Sequence, residues 1–316
     1  MSVVGALRVI GICCVLFSAC GRQKPPPPAA MREISTRARA PVDAAVGERA
    51  VDSAAARQPN NELPWAANTL DMVEAVEVSV LGKEVRVDDV VSETIPDEVI
   101  KERRIRRLDE LFRILRAKRE LWKQLNLGRL FPGVVLLRFD QREIAAVVKS
   151  VLQTAAFAGY PNASFVVRKI GATGEARLNV DGRPAVQPGA SEQSSDRILH
   201  LDLIGPDRCQ LVWKQRTQVT NVIDVATGMS DPGVAGNQAI RFPKLSAVAE
   251  SEWRVHGAHR DASDRKFDSA VVHVDNEIEH KYIVAAIDAL STPQRPLSFD
   301  GNVEQVSSFE VGLAMN

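Results

Sequence analysis

The residues best suited to chemistry lie late in the chain. His256-Gly-Ala-His259 puts two imidazoles three residues apart at the end of a predicted helix, Asp261 and Asp264 follow, and His273 lies on a predicted strand. Imidazoles and carboxylates at such spacing can ligate zinc, and a zinc-bound water would make the chain a secreted metal-dependent hydrolase. The competing reading, a solvated polar helix end with His200 and His273 facing water from strands, needs no metal and is preferred. No Gly-x-Ser-x-Gly elbow, His-Glu-x-x-His, P-loop or Gly-x-Gly-x-x-Gly occurs. Asp140 and Asp275 each end an apolar strand shortly before a helix, where a carboxylate accepts amide protons and suits the helix dipole; they read as structural caps. Arg103, Arg107, Arg113 and Arg116 sit on one predicted helix, interleaved with Glu102, Asp109, Glu110 and Glu120. Guanidinium groups pair bidentately with carboxylates, so this face is the candidate for an anionic partner. With no constellation specifying a reaction, the expectation is a non-catalytic protein without a soluble cofactor.

The totals narrow the partners. The 316 residues carry 40 Lys+Arg and 40 Asp+Glu, a formal net charge of +0. A general nucleic-acid binder would show a basic excess to replace phosphate counterions, so nucleic acid is excluded as the expected partner. Four cysteines occur, at 13, 14, 20 and 209. No pair has zinc spacing. Cys209, on an alternating segment, reads as a buried small hydrophobe.

The elements that must position these residues can be traced by periodicity. Val76, Val78 and Val80 alternate with polar residues, Gly82-Lys83 turns the chain, and Val85 and Val87 alternate again: a β-hairpin. A helix is predicted over 97–126, with Ile105, Leu108, Leu111, Phe112, Leu115, Trp122 and Leu125 on its apolar face. The apolar run Val134–Phe139 suits a strand buried on both faces. A helix carrying Ile144, Val147, Val148, Val151, Leu152 and Ala155 follows, then a strand at 164–168, which together make a right-handed parallel crossover. Residues 171–196 read as a Gly/Ala/Ser/Pro-rich linker, and 293–316 as an irregular tail. Between them the pattern recurs: alternation at 199–213, a helix over 243–259, the strand Ala270–Asp275 and a helix carrying Ile283, Val284, Ile287 and Leu290.

The N-terminus has its own signature. Arg8 precedes an apolar run from Val9 to Phe17, then Ser18-Ala19-Cys20-Gly21. The run is shorter than the roughly 20 residues a membrane span needs, and Pro25–Pro28 forbids helical continuation. Phe17-Ser-Ala-Cys20 resembles the lipobox of bacterial lipoproteins, with Phe17 where the family usually carries Leu. The resemblance implies a signal peptide over 1–19, a covalent lipid on Cys20, and a lipid-anchored protein of the cell envelope. Gly21 after the cysteine implies the outer membrane, facing the periplasm. Residues 20–64, rich in Pro and Ala, bury too little to order themselves and read as a tether.

The strongest internal match pairs Val134-Val-Leu-Leu-Arg-Phe-Asp140 with Ala270-Val-Val-His-Val-Asp275, each followed by an amphipathic helix. With Ala158-Gly-Tyr-Pro161 and Phe165-Val-Val-Arg168, the first copy resembles the periplasmic domain of the ExbD/TolR biopolymer-transport family. That resemblance implies an α+β fold of two small domains, over 65–170 and, more weakly, 197–292, each a mixed sheet with two helices on one face. It implies binding of an envelope protein or peptidoglycan, as an accessory of an energised transport or motility complex, and pairing either as a homodimer or between the two copies of one chain. An uncleaved inner-membrane transport component is the remaining alternative. The family's proton relay is not implied, because no Asp or Glu precedes Glu33 and an intramembrane carboxylate is what a relay requires.

Overall fold

Apolar alternation sets the strands and 3.6-residue periodicity the helices, and their order in the computed structural model makes one α+β unit. The structure describes residues 62–181, 197–215, 218–227, 239–299 and 302–315, all within one compact unit, Ala54–Asn316. The proposed signal peptide, Cys20, nearly all of the tether and most of the expected linker therefore lie outside the described residues. The strands are β1 (Trp65–Ala66), β2 (Val76–Leu81), β3 (Glu84–Val87), β4 (Val90–Thr94), β5 (Val134–Arg138), β6 (Asn162–Lys169), β7 (Glu175–Asp181), β8 (Ile198–Leu203), β9 (Arg208–Gln215), β10 (Gln218–Ala226), β11 (Asp268–Val274), β12 (Gln294–Phe299), β13 (Asn302–Ser307) and β14 (Phe309–Leu313). The helices are α1 (Asp97–Lys101), α2 (Asp109–Leu125), α3 (Ala145–Ala158), α4 (Pro243–His256) and α5 (His280–Leu290).

The sheet runs β4-β3-β2-β5-β6-β7-β14-β11-β8-β9-β10, with β1 beside β6. Both ends have the same local order: a three-stranded antiparallel meander whose first strand pairs in parallel with a strand that precedes a helix, which in turn feeds another parallel strand. The two ends join at β7, which is antiparallel to β6 and touches β14 in parallel through Asp181 and Gly312. The loops after β5 and β11 cross at an isolated antiparallel bridge, Ile144 to Glu279. Inward residues of both ends and of all five helices belong to one apolar cluster, from Val78 and Phe165 to Leu201 and Leu313. The helices therefore share one face of the sheet. The other face carries only a small patch of Leu63, Leu136 and Val166.

Three expectations are corrected. The linker over 171–196 contains β7, a strand inside the sheet; its Ala176, Leu178 and Val180 alternate inward, a signal masked by the glycines at 171 and 174. The tail over 293–316 is not irregular: β12 and β13 form a hairpin, and β14 sits between β11 and β7, with Phe309, Val311 and Leu313 buried. The helix over 97–126 is broken. Arg103 takes a left-handed backbone (φ 56), and residues between α1 and α2 leave the helix so that Leu108 can dip into the core.

Candidate functional site

The structure disperses the histidines. His273, on the open face of β11, stacks on His200 of β8 with ring centroids 5.1 Å apart and Nδ1 of His200 2.8 Å from Nε2 of His273. Burial, then Lys214 and His273, push the His200 imidazole down to about 4, so at neutral pH it is uncharged. His256, in the last turn of α4, lies 3.6 Å from Glu252 and edge-on to Trp213. His259 meets Asp264 at 2.7 Å, and its amide donates to Asp268. Each ring is committed to a different neighbour, and among the described residues no group of three His, Cys, Asp or Glu side chains could hold a metal ion. The set His256, His259 and His273 is thus not assembled as a site.

The arginine face is largely neutralised within itself. Arg107 pairs with Asp109, Arg113 with Glu110 and Arg106 with Glu98. Arg103 turns back to the Ile100 carbonyl at 2.6 Å, leaving the helix face altogether. Arg116 alone of the four candidates stays exposed with no partner among the described residues. Asp140 and Asp275 are not helix caps. Ile144 and Glu279 occupy the cap positions of α3 and α5, without side-chain cap bonds. The Asp140 carboxylate instead accepts from the amides of Arg142 (2.8 Å) and Glu62 (2.9 Å), an Asx-turn that also holds the start of the fold. Cys209 is buried as expected, its thiol pushed up to about 12 by desolvation.

Where the two ends of the sheet meet, buried polar groups collect that the sequence did not mark. Lys149, in mid-α3, is fully buried; its Nζ donates to the Val274 carbonyl (2.7 Å) and Asn276 Oδ1 (3.0 Å), and burial lowers its ammonium to about 8. Asn276 in turn donates to the Arg103 carbonyl at 2.8 Å. His280 is buried edge-on to Phe139 and Phe165, with no ordinary hydrogen-bond partner for either ring nitrogen, and its imidazole is pushed down to about 3. Glu143, beside the crossing, is pushed up to about 7 by burial. Among these bonds, Lys149 to the Val274 carbonyl and to Asn276 Oδ1, and Asn276 to the Arg103 carbonyl, run between the two ends of the sheet. They hold the two ends together.

The space for a ligand lies where β7 and β14 part, paired only at Asp181 and Gly312, and residues from both faces of the sheet line it. A groove of about 770 Å³ lies between β6 and β7 on the floor, residues 67–70 on one wall and the β12–β13 hairpin on the other. The hairpin is pinned by Arg295, whose fully buried guanidinium donates to the carbonyls of Asp261 (3.1 Å), Asp264 (2.9 Å) and Lys266 (2.6 Å) and stacks 4.9 Å from the Phe267 ring. On the other wall, Asp288 of α5 fixes residues 67 and 68 by accepting both amides at 3.0 and 2.6 Å. On the floor, Asn179 Oδ1 accepts from Ser164 Oγ and Arg177, each at 2.8 Å, which commits the Asn179 carbonyl oxygen and not its amide nitrogen. Gln305, Glu304, Glu310 and the rings of Phe267 and Phe309 complete a mixed lining of amides, hydroxyls, carboxylates and apolar groups. The volume is within the usual range for small-ligand sites. The sequence reading missed this groove because its floor lies in the supposed linker and its wall in the supposed tail.

No family model matches the chain, and no curated protein matches it. Among solved structures, it is similar to a PPX-GPPA enzyme of Aquifex aeolicus at 12% identity and a TM-score of 0.17, covering 63% of this chain and 66% of that one. A type II variant of the Aquifex aeolicus Ppx/GppA phosphatase gives 12% identity and a TM-score of 0.16 over the same shares. The chain spans just under two thirds of the length of these structures. The solved structures found are thus Ppx/GppA proteins and not ExbD/TolR proteins. The ExbD/TolR resemblance is corrected on that ground, and with it the expectation of a non-catalytic transport accessory. At these TM-scores the likeness carries no argument for a phosphatase reaction in this chain.

Proposed function

We propose that this protein is a lipid-tethered component of the cell envelope whose folded unit takes up a polyhydroxylated ligand of the saccharide class in the groove under the β12–β13 hairpin. The observation that carries the reading is the groove's lining. Together the lining groups keep donors and acceptors, as sugar hydroxyls require: amide hydrogens on Asn162, Asn179 and Gln305, and lone pairs on Ser164 Oγ, Asn162 Oδ1 and Gln305 Oε1; Phe267 offers a face for sugar C–H groups. An anionic ligand is less well matched, because Glu304 and Glu310 share the lining and Arg177 is already held by the Asp71 carbonyl and Asn179. Two repeated meander-helix-strand units sharing one sheet would form the platform, and the tether from Cys20 would set its reach from the bilayer.

Calorimetric titration of the full chain with chito-oligosaccharides and with maltotetraose tests the groove. Binding that Gln305→Ala abolishes without lowering the melting temperature is expected; failure of both sugars to bind sinks the reading. New reducing ends in the same incubations would make the groove an active site. The anchor is tested separately by Cys20→Ser, which should leave a larger, unprocessed precursor. No change in precursor size or membrane partitioning would remove the lipid from the scheme.

A further inference from the structure

The far end of α2 does not do what its periodicity promises. Leu111 and Leu115 are buried, but Leu121 is 54% exposed, Leu125 74%, Leu127 85% and Leu130 95%. Leu121 and Leu125 lie one turn apart on the same helix face, and Leu127 and Leu130 follow directly in the loop after Asn126. This loop is not loosely held. Asn126 donates to the Trp122 carbonyl at 2.9 Å, and Phe131 packs edge-on between Trp122 (5.4 Å) and Tyr160 (5.1 Å). The leucines are thus held outward by a fixed frame, with a hydrophobic anchor on the inner side and solvent on the outer. Phe157, 55% exposed, stands beside the Ala158 carbonyl to which Arg119 donates at 3.2 Å, which places it next to α2.

The charge around these leucines is mainly positive. Residues 113–130 contain Arg113, Arg116, Lys118, Arg119, Lys123 and Arg129 against Glu120 alone. Counting in the two acidic partners from outside, Glu110 for Arg113 and Asp88 for Lys118, six cations still face three anions. A cluster of exposed leucines rimmed by surplus cations matches an interface between anionic headgroups and acyl chains: leucines enter, and Lys and Arg stay at headgroup level. A protein partner of ordinary composition would need no such cationic rim, and burying a second copy here would bring like charges together.

We infer that the α2 end and its loop, centred on Leu121, Leu125, Leu127 and Leu130, form a docking surface for an anionic lipid bilayer. It works in addition to any lipid on Cys20 and fixes which side of the folded unit faces the membrane. The inference is independent of the saccharide reading, which concerns the groove beside the β12–β13 hairpin and shares none of these residues.

The test reads the patch locally, so that anchoring elsewhere in the full chain does not mask it. Amide hydrogen exchange is followed with vesicles of phosphatidylglycerol and phosphatidylcholine, and with phosphatidylcholine alone. Amides over 121–131 should slow with the anionic vesicles only, and the protection should fade in high salt. The double substitution Leu125→Asp/Leu130→Asp, on exposed positions, should weaken this by about tenfold or more. Val255→Asp, exposed on α4, should leave it unchanged. Unchanged exchange with anionic vesicles, or equal protection in the double variant, overturns the inference. Protection without lipid that grows with protein concentration also overturns it, assigning the patch to a second copy.

Discussion

The two ends of the sheet are built alike and finished differently. In the first, α3 runs into β6 through the tight turn Gly159-Tyr160-Pro161, where Gly159 takes a left-handed backbone (φ 96) and a side chain would strike Arg119. In the second, the corresponding connection from α5 to β14 holds the whole β12–β13 hairpin. The repeated part makes the core, and the part that is not repeated makes the groove wall. The helices differ in the same way. α2 overshoots the sheet and presents leucines, whereas α4 stops at Gly257 with Trp253 donating to Asp268 at 2.9 Å. The two proposed binding surfaces lie where the two ends of the sheet differ, as loops and insertions vary more freely than packed elements.

The comparison can be broken most severely by truncation. A chain ending at Ser308 lacks β14, which lies between β11 and β7. If the two ends share one core, loss of a single cooperative melting transition is expected for the whole unit. A first half that melts unchanged would make them separate domains. The next test uses equivalent positions of α3 and α5. Lys149→Ala strips two buried acceptors of their donor and leaves a cavity, for a loss of about 3 kcal/mol in chemical denaturation. Val284→Ala, also fully buried, should cost about 2 kcal/mol by lost packing alone. Equal losses would remove the special role of Lys149.

Arg138 gives a further, smaller effect. It bridges Glu77 at the meander and Glu175 on β7, and its removal leaves two carboxylates together on a half-covered face. Arg138→Gln should cost about 2 kcal/mol. The smallest expected change has the opposite sign. His280→Leu replaces a fully buried imidazole whose contact with the Asp140 backbone falls short of ordinary hydrogen-bond geometry, and should stabilise by about 1 kcal/mol at neutral pH. It should also change the pH profile. The folded imidazole titrates near 3 and the unfolded one near 6.5, so the unfolded chain binds the extra proton in between. Stability is therefore lost as pH falls from about 6.5 towards 3, and the variant should lose less over that window. Glu143, raised to about 7, acts oppositely between about 7 and its ordinary 4.5, so wild type and variant must be compared and not read singly.

Much of the framework was legible in the residues. The hairpin at 76–87, the strand from 134, the helix with Val147, Val148 and Val151, and the recurrence after 198 are set by alternation and helical spacing, which are local properties of the chain. The groove beside the β12–β13 hairpin was not legible. Its floor strand follows a glycine-rich stretch, and its wall is a hairpin that no repeat announces.

Periodicity says which residues share a face; it does not say what meets that face. Sequence alone therefore settled the type and order of the strongly periodic elements, since each depends on neighbours a few residues away, but not β7, β12, β13 and β14 or the break between α1 and α2. Tertiary structure alone decided that β7 and β14 join the two ends, that Lys149 finds its acceptors more than a hundred residues on, that the histidines part company, and that the last leucines of α2 overhang the core. Each of those outcomes depends on which surfaces meet in space, and a one-dimensional pattern carries no such distance.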